Sequence, residues 1–188
     1  RSKINVIVLW DGTSSYSSGG PNTGYLYELG TDNNEDTTLS SNTTTLTDGW
    51  FTNGTEIDMG DGNTLKNLIT YSRNRYPNAE NEVLIMSNHG GGVRDYKGEH
   101  ISPDRYGWSD DDNGTHLYTN EIQTALINAG ADSNKLEILG MDACLMSMVE
   151  EAYEYRNLAN YFVASVMNEQ GDGWEFNDWM PNMTTSST

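Results

Sequence analysis

Four short runs of β-branched and aliphatic residues alternate with three helical stripes, and that alternation restricts the chain to an α/β layered domain with a mainly parallel sheet. The runs are residues 4–10 (INVIVLW), 83–87 (VLIMS), 136–141 (LEILGM) and 161–166 (YFVASV). The first stripe has Leu65, Leu68 and Ile69 behind a Thr64 cap, and Pro77 closes it. The second has Ile122, Ala125, Leu126 and Ala129 behind a Thr119 cap, and Gly130 stops it. Leu145, Met148, Val149 and Ala152 mark a third helix directly after the third strand. Two Thr-rich runs in residues 37–47 flank Ser40-Ser41-Asn42 and predict a polar β-hairpin at a sheet edge. A length of 188 residues fits one domain, residues 1–188, able to bury roughly 70% of its unfolded surface.

The net charge of −18 narrows the partners. Phosphate contacts need Lys and Arg, so the composition argues against nucleic acid, and the same sign argues against docking on an anionic membrane. It favours cationic substrates. No apolar run approaches the ~20 residues of a membrane helix, and the first run is too short for a signal h-region of ~7–15 residues. The start therefore reads as a mature or trimmed terminus. The single cysteine excludes an intramolecular disulfide.

In parallel sheets the ligand crevice lies beyond the C-terminal strand ends. His89, Asp142 and Cys144 fall there, as do Asp11 and Asp172. Cys144, where a strand turns into a predicted helix, would feel the positive end of the helix dipole, which suits a nucleophilic thiolate. A free Cys is equally at home as a small buried hydrophobe. His89 precedes Gly90-Gly91-Gly92, whose backbone can approach a ligand and aim N–H groups at an oxyanion, or serve only as a bend. Asp142 shares a face with Cys144 in an extended chain. A carboxylate that close works against a thiolate, so its better role is to hold a cation of the substrate, with Asp172 as a second acid. Both could equally belong to an acidic surface. The run 110–114 (DDDNG) lacks the strong first and last ligands of a Ca²⁺ loop and reads as a solvated turn. Ca²⁺ stays open through other groupings, and no Cys/His cluster suits zinc.

The segments VLIMSNHGGG, ILGMDACLMSMVEEAYEY and YFVASVMNEQGDGW resemble the clostripain family of cysteine peptidases, in the caspase-like clan. The resemblance implies a caspase-like layered sandwich with helices on both faces of the sheet. It implies a His89–Cys144 dyad, an oxyanion hole from the Gly90 and Cys144 amides, and an S1 pocket with acidic walls at Asp142 and Asp172. It implies cleavage after Arg or Lys, which agrees with the separate argument from charge. Where the family often carries further acids and a Pro, this chain has Val166, Met167 and Gln170, which leaves the Arg-to-Lys preference undetermined. Family members often activate by self-cleavage at a basic residue in an exposed loop, and Lys97 and Arg105 are the candidates here. Family catalytic domains continue past this chain's last residue, so a second chain of the same precursor is an expected partner. Family members also imply a secreted or cell-surface bacterial protein. The competing expectation is a catalytically inactive acidic module that binds basic peptides on the same fold.

Overall fold

The computed structural model describes residues 4–12, 23–29, 43–94, 101–110, 112–170 and 173–183. The chain divides into two compact units, Arg1–Ile57 with Trp174–Thr188, and Asp58–Gly173.

The first unit holds an antiparallel sheet of β1 (Val6–Trp10), β2 (Tyr25–Leu29) and β3 (Thr43–Thr45), in that order, and helix α4 (Phe176–Met183). Val6 pairs with Leu29 and Tyr27 with Thr45. Leu26 is fully buried, and Asn53 Oδ1 accepts its N–H at 2.7 Å. The predicted hairpin is met in part. Its second Thr run forms β3 but pairs with β2, and residues 37–42 lie outside those described. β1, expected at the start of the parallel sheet, instead pairs antiparallel with β2. The run from Tyr25 to Leu29, which supplies that partner, carries only a short alternation and is easily passed over.

The second unit is built on a parallel sheet of β4 (Val83–Ser87), β8 (Leu136–Asp142) and β9 (Ala159–Ala164), with β8 in the middle. Val83 aligns with Ile138 and Ile138 with Tyr161, so all three strands end at one edge. Helices α1 (Gly62–Arg75), α2 (Thr119–Asn128) and α3 (Val149–Tyr155) supply the α layer. Leu65 and Ile69 of α1, Ile122 and Leu126 of α2 and Tyr155 of α3 share one core with Met86, Leu139 and Met141. Each fully buried aliphatic side chain there contributes about 1.5–3 kcal/mol. This is the α/β architecture expected from the alternating pattern.

The caps differ from the expected ones. Asp61, not Thr64, caps α1, and its Oδ1 accepts the Asn63 N–H at 2.8 Å. A carboxylate there also meets the positive end of the helix dipole. Thr64 donates to the Asp58 carbonyl instead. Thr119 is the first residue of α2, and its hydroxyl donates at 2.8 Å to the fully buried carboxylate of Glu151. Gly130, with φ of 86°, ends α2 as expected.

Arg73 joins the ends of three elements. Its guanidinium donates to Glu82 at 2.8 Å, to the Ala129 carbonyl and to the Asn134 carbonyl at 2.8 Å. Arg73→Ala strips a charged donor from all three, and the expected loss is about 2–3 kcal/mol, with Arg73→Lys recovering only part because an ammonium cannot span the fork. Urea denaturation of the variants measures this, and an unchanged midpoint for Arg73→Ala would discard the clamp.

The polar stretch after His89 forms a second sheet of β5 (Gly92–Arg94), β6 (Ile101–Asp110) and β7 (Thr115–Tyr118). Asp110 makes its last turn. Its carboxylate accepts the N–H groups of Met59 (2.8 Å), Asp112 (3.1 Å) and Asn113 (2.9 Å). An Asx-type turn of this kind rests on side-chain acceptors rather than apolar pattern, which is why periodicity missed the sheet.

Candidate active site

β4 and β8 lie side by side in parallel, and their last residues, Ser87 and Asp142, are in register. The Asn88 N–H continues the pairing by donating to the Asp142 carbonyl at 3.1 Å. His89 therefore leaves the edge of β4 next to the point where Cys144 leaves β8. The glycines bring the two crossings into contact. A Cβ on Gly90 would stand 2.4 Å from the Cys144 carbonyl oxygen, and one on Gly92 would stand 2.7 Å from the Leu145 oxygen. Gly92 also has φ of 56°. The glycines are required by this close packing of backbone on backbone, so the flexible bend considered from sequence is not what they form. His89 is exposed, and Cys144 is half-buried.

The expected helix directly after Cys144 is not there. α3 begins only at Val149, and the helix-dipole effect fades within one turn, so it does not reach the sulfur. Residues 145–147 bond sideways instead. The Leu145 N–H donates to the Met167 carbonyl at 3.1 Å and the Ser147 N–H to the Ser165 carbonyl at 2.9 Å. These bonds run in the opposite sense to the parallel β8–β9 register, so the chain has turned back after β8, and they claim the N–H groups that a helix would use. Leu145 is held at φ of 62°, a left-handed conformation that costs a bulky side chain about 1–2 kcal/mol. The same crossing supplies the sulfur with a donor, the Glu169 N–H at 3.3 Å from Sγ. Among the described residues, neither the Gly90 N–H nor the Cys144 N–H has an acceptor.

Asp142 is buried, 3% exposed. Ser87 Oγ donates to its Oδ2 at 3.0 Å. The backbone of Gly173 closes over the same carboxylate, and a Cβ there would lie 2.7 Å from Oδ2. With φ of 67° as well, position 173 admits only glycine without strain. Ser87 and Gly173 were not singled out by sequence reasoning. The parallel register identifies Ser87, and the Gly-Asp-Gly run was the available signal for Gly173. Asn88 was also missed, although it adjoins His89.

The remaining candidates differ in what the structure describes of them. Asp172 and Lys97 lie outside the described residues. Arg105 falls within β6, the middle strand of its sheet, rather than in a loop. Asp11 follows β1 in the first unit, whose sheet is antiparallel, so the argument from a shared parallel edge does not extend to it. Val166 and Met167, just past β9, are exposed at 71% and 70% and take no part in the core. Among the described residues no helix is long and apolar enough to cross a membrane.

Comparison with known proteins matches the model of the clostripain family to residues 1–188. Clostripain of Hathewaya histolytica is 39% identical over 106 residues, covering 54% of this chain and 19% of that protein. A secreted C11 cysteine protease from Bacteroides thetaiotaomicron, solved with an irreversible peptide inhibitor, superposes with a TM-score of 0.69 at 21% identity, over 98% of this chain and 44% of that one. An inactive zymogen of a C11 protease from Parabacteroides distasonis gives 0.58 at 18% identity, over 90% and 40%. The chain thus spans less than half the length of these relatives.

Proposed function

Since this chain belongs to the clostripain family, we propose that it is a cysteine endopeptidase that cuts protein or peptide substrates after Arg or Lys. Residues 1–188 act in this reading as one catalytic domain. The observation that carries it is the junction of β4 and β8, where glycines press the loop bearing His89 onto the backbone of Cys144, above a buried carboxylate.

The chemistry follows from what each group offers. The Cys144 sulfur, as thiolate, attacks the scissile carbonyl carbon. Negative charge then develops on the carbonyl oxygen, and the Gly90 and Cys144 N–H groups, which have no other acceptor among the described residues, receive it. The C–N bond breaks as His89 gives a proton to the departing amine. Water next attacks the thioester, giving the acid and returning the sulfur. Asp142 and Asp172 hold the cationic side chain that precedes the cut. A cationic side chain gains a charge partner there that a neutral one does not, so an acid at this place selects Arg and Lys over neutral residues. The strained Leu145 backbone supports a functional assignment of the turn, because such strain persists where surrounding bonds over-determine it.

The relatives described as secreted support a secreted protein. Self-cleavage is proposed at Lys97 or Arg105, with a second chain of the precursor as partner. A cut at Arg105 needs β6 to leave its ladder first, because a peptide must be extended and unpaired to enter such a site. Cleavage-site profiling on a peptide library tests the whole reading. Cuts should follow Arg and Lys and vanish in Cys144→Ala. Retention of basic peptides without any cut would favour the inactive binding module instead.

A further inference from the structure

We propose that Asn88 is a positioning residue that fixes the backbone from which the His89 imidazole projects, a role that rests on His89 being the proton donor to the leaving amine. The residues after His89 pack backbone on backbone against Cys144 and Leu145, but as glycines they carry no side chain that could hold the His89 N–H itself. The restraint comes from the other side. Asn88 Oδ1 accepts the N–H of His89 and, at 3.3 Å, the hydroxyl of Ser109. Its Nδ2 donates to the Ser109 carbonyl at 2.8 Å. Its own backbone N–H donates to the Asp142 carbonyl at 3.1 Å.

Asn88 is therefore tied to β8 through its main chain and to β6 through both ends of its amide. Ser109, its anchor, is buried at 3% exposure and is in register with His116 of β7, which holds it in the sheet. Only an amide performs the whole task. It presents an acceptor to the His89 N–H and a donor to a carbonyl on the same planar group. A carboxylate keeps the first and loses the second, and an alanine loses both. The consequence is chemical rather than global. Substrate binding through Asp142 and attack by Cys144 do not pass through Asn88, whereas delivery of the proton depends on where His89 stands, and a displacement of about 1 Å in such geometry costs on the order of 10²-fold.

The test compares an amide and an ester substrate that share one Arg acyl group. An ester leaves without needing a full proton, so its acylation depends less on the acid. kcat/KM for Asn88→Ala is expected to fall roughly 10- to 100-fold on the amide and only a fewfold on the ester, with KM and the Tm little changed. Asn88→Asp, which keeps the acceptor for His89 but turns an acceptor toward the Ser109 carbonyl, should restore only part of the amide rate. His89→Ala should lose roughly 10²–10⁴-fold, again mainly on the amide. If Asn88→Ala fails to fold, Asn88→Gln, with the same amide set one methylene further out, takes its place and should show the same amide-selective loss. Equal losses on amide and ester in the Asn88 variant, or no loss on either, overturn the positioning role while leaving the protease reading intact, provided His89→Ala still discriminates. Failure of His89→Ala to discriminate overturns the proton-donor assignment and the positioning role with it.

Discussion

Cys144→Ala is expected to reduce hydrolysis of a Lys- or Arg-reporter peptide by roughly 10⁴-fold or more, the scale on which removal of an attacking nucleophile acts. The reason is local. No second thiol exists in the chain to take over, since Cys144 is its single cysteine. The variant should stay folded. Cys144 is half-buried, and among the described residues its sulfur takes part in one hydrogen bond, from the Glu169 N–H, whose loss costs about 1 kcal/mol. Thermal unfolding of wild type and variant, run beside the activity assay, separates the two effects. Undiminished hydrolysis in a folded variant would refute the assignment of Cys144.

Asp142→Asn is also expected to have a large effect, and a selective one. A buried charge pair that loses one partner typically costs 2–5 kcal/mol, which corresponds to roughly 30- to 4,000-fold in kcat/KM for a substrate with Arg or Lys before the cut. The substitution preserves shape. The new amide still meets the Ser87 hydroxyl, which can turn to accept as well as donate, and the Gly173 backbone still closes on the same volume. Neutral substrates of similar length should therefore be cut as slowly as before, and the preference for basic residues should shrink. A parallel loss on basic and neutral substrates would remove Asp142 from substrate recognition and leave it a structural acid. Gly173 bears on the same site from above. A side chain there would press on the carboxylate, so the loop after β9 and the strand β8 are fitted to one another at this point.

The parts of the molecule legible in sequence are those governed by short-range periodicity. Residues 83–87 and 136–141 were readable as strands because β-branched and aliphatic side chains dominate both, with Met86, Leu136, Leu139 and Met141 buried in the core. The α1 and α2 stripes were readable because Leu65, Ile69, Ile122, Ala125 and Leu126 recur at helical spacing. His89 and Cys144 were legible for a related reason. A chemically distinctive side chain directly after a buried strand of a parallel sheet stands at the crevice edge, whatever the strand's neighbours. The resemblance of the surrounding segments to clostripain-family peptidases agreed with the later match of the family model over residues 1–188.

The segment between Cys144 and Val149 was misread because its apolar spacing suits a helix, while the Ser165 and Met167 carbonyls, distant in sequence, claim its N–H groups. The β5–β6–β7 sheet was misread because polar side chains and turn carboxylates hide a strand that backbone pairing alone defines. Two limits of this kind recur throughout the chain. Local composition states what a segment can form, and partners far along the sequence choose among those forms.

Sequence by itself therefore determined the α/β class and singled out His89, Cys144 and the acid before the cysteine as candidates, because each is written in one short stretch of residues. Tertiary structure alone decided that Ser87 and Gly173 enclose Asp142, that Asn88 ties His89 to β6, and that glycines at 90 and 92 are demanded by the carbonyls of Cys144 and Leu145. Those are contacts between strands that no window of sequence contains, and they exist only once hydrogen bonding has set the strands in register.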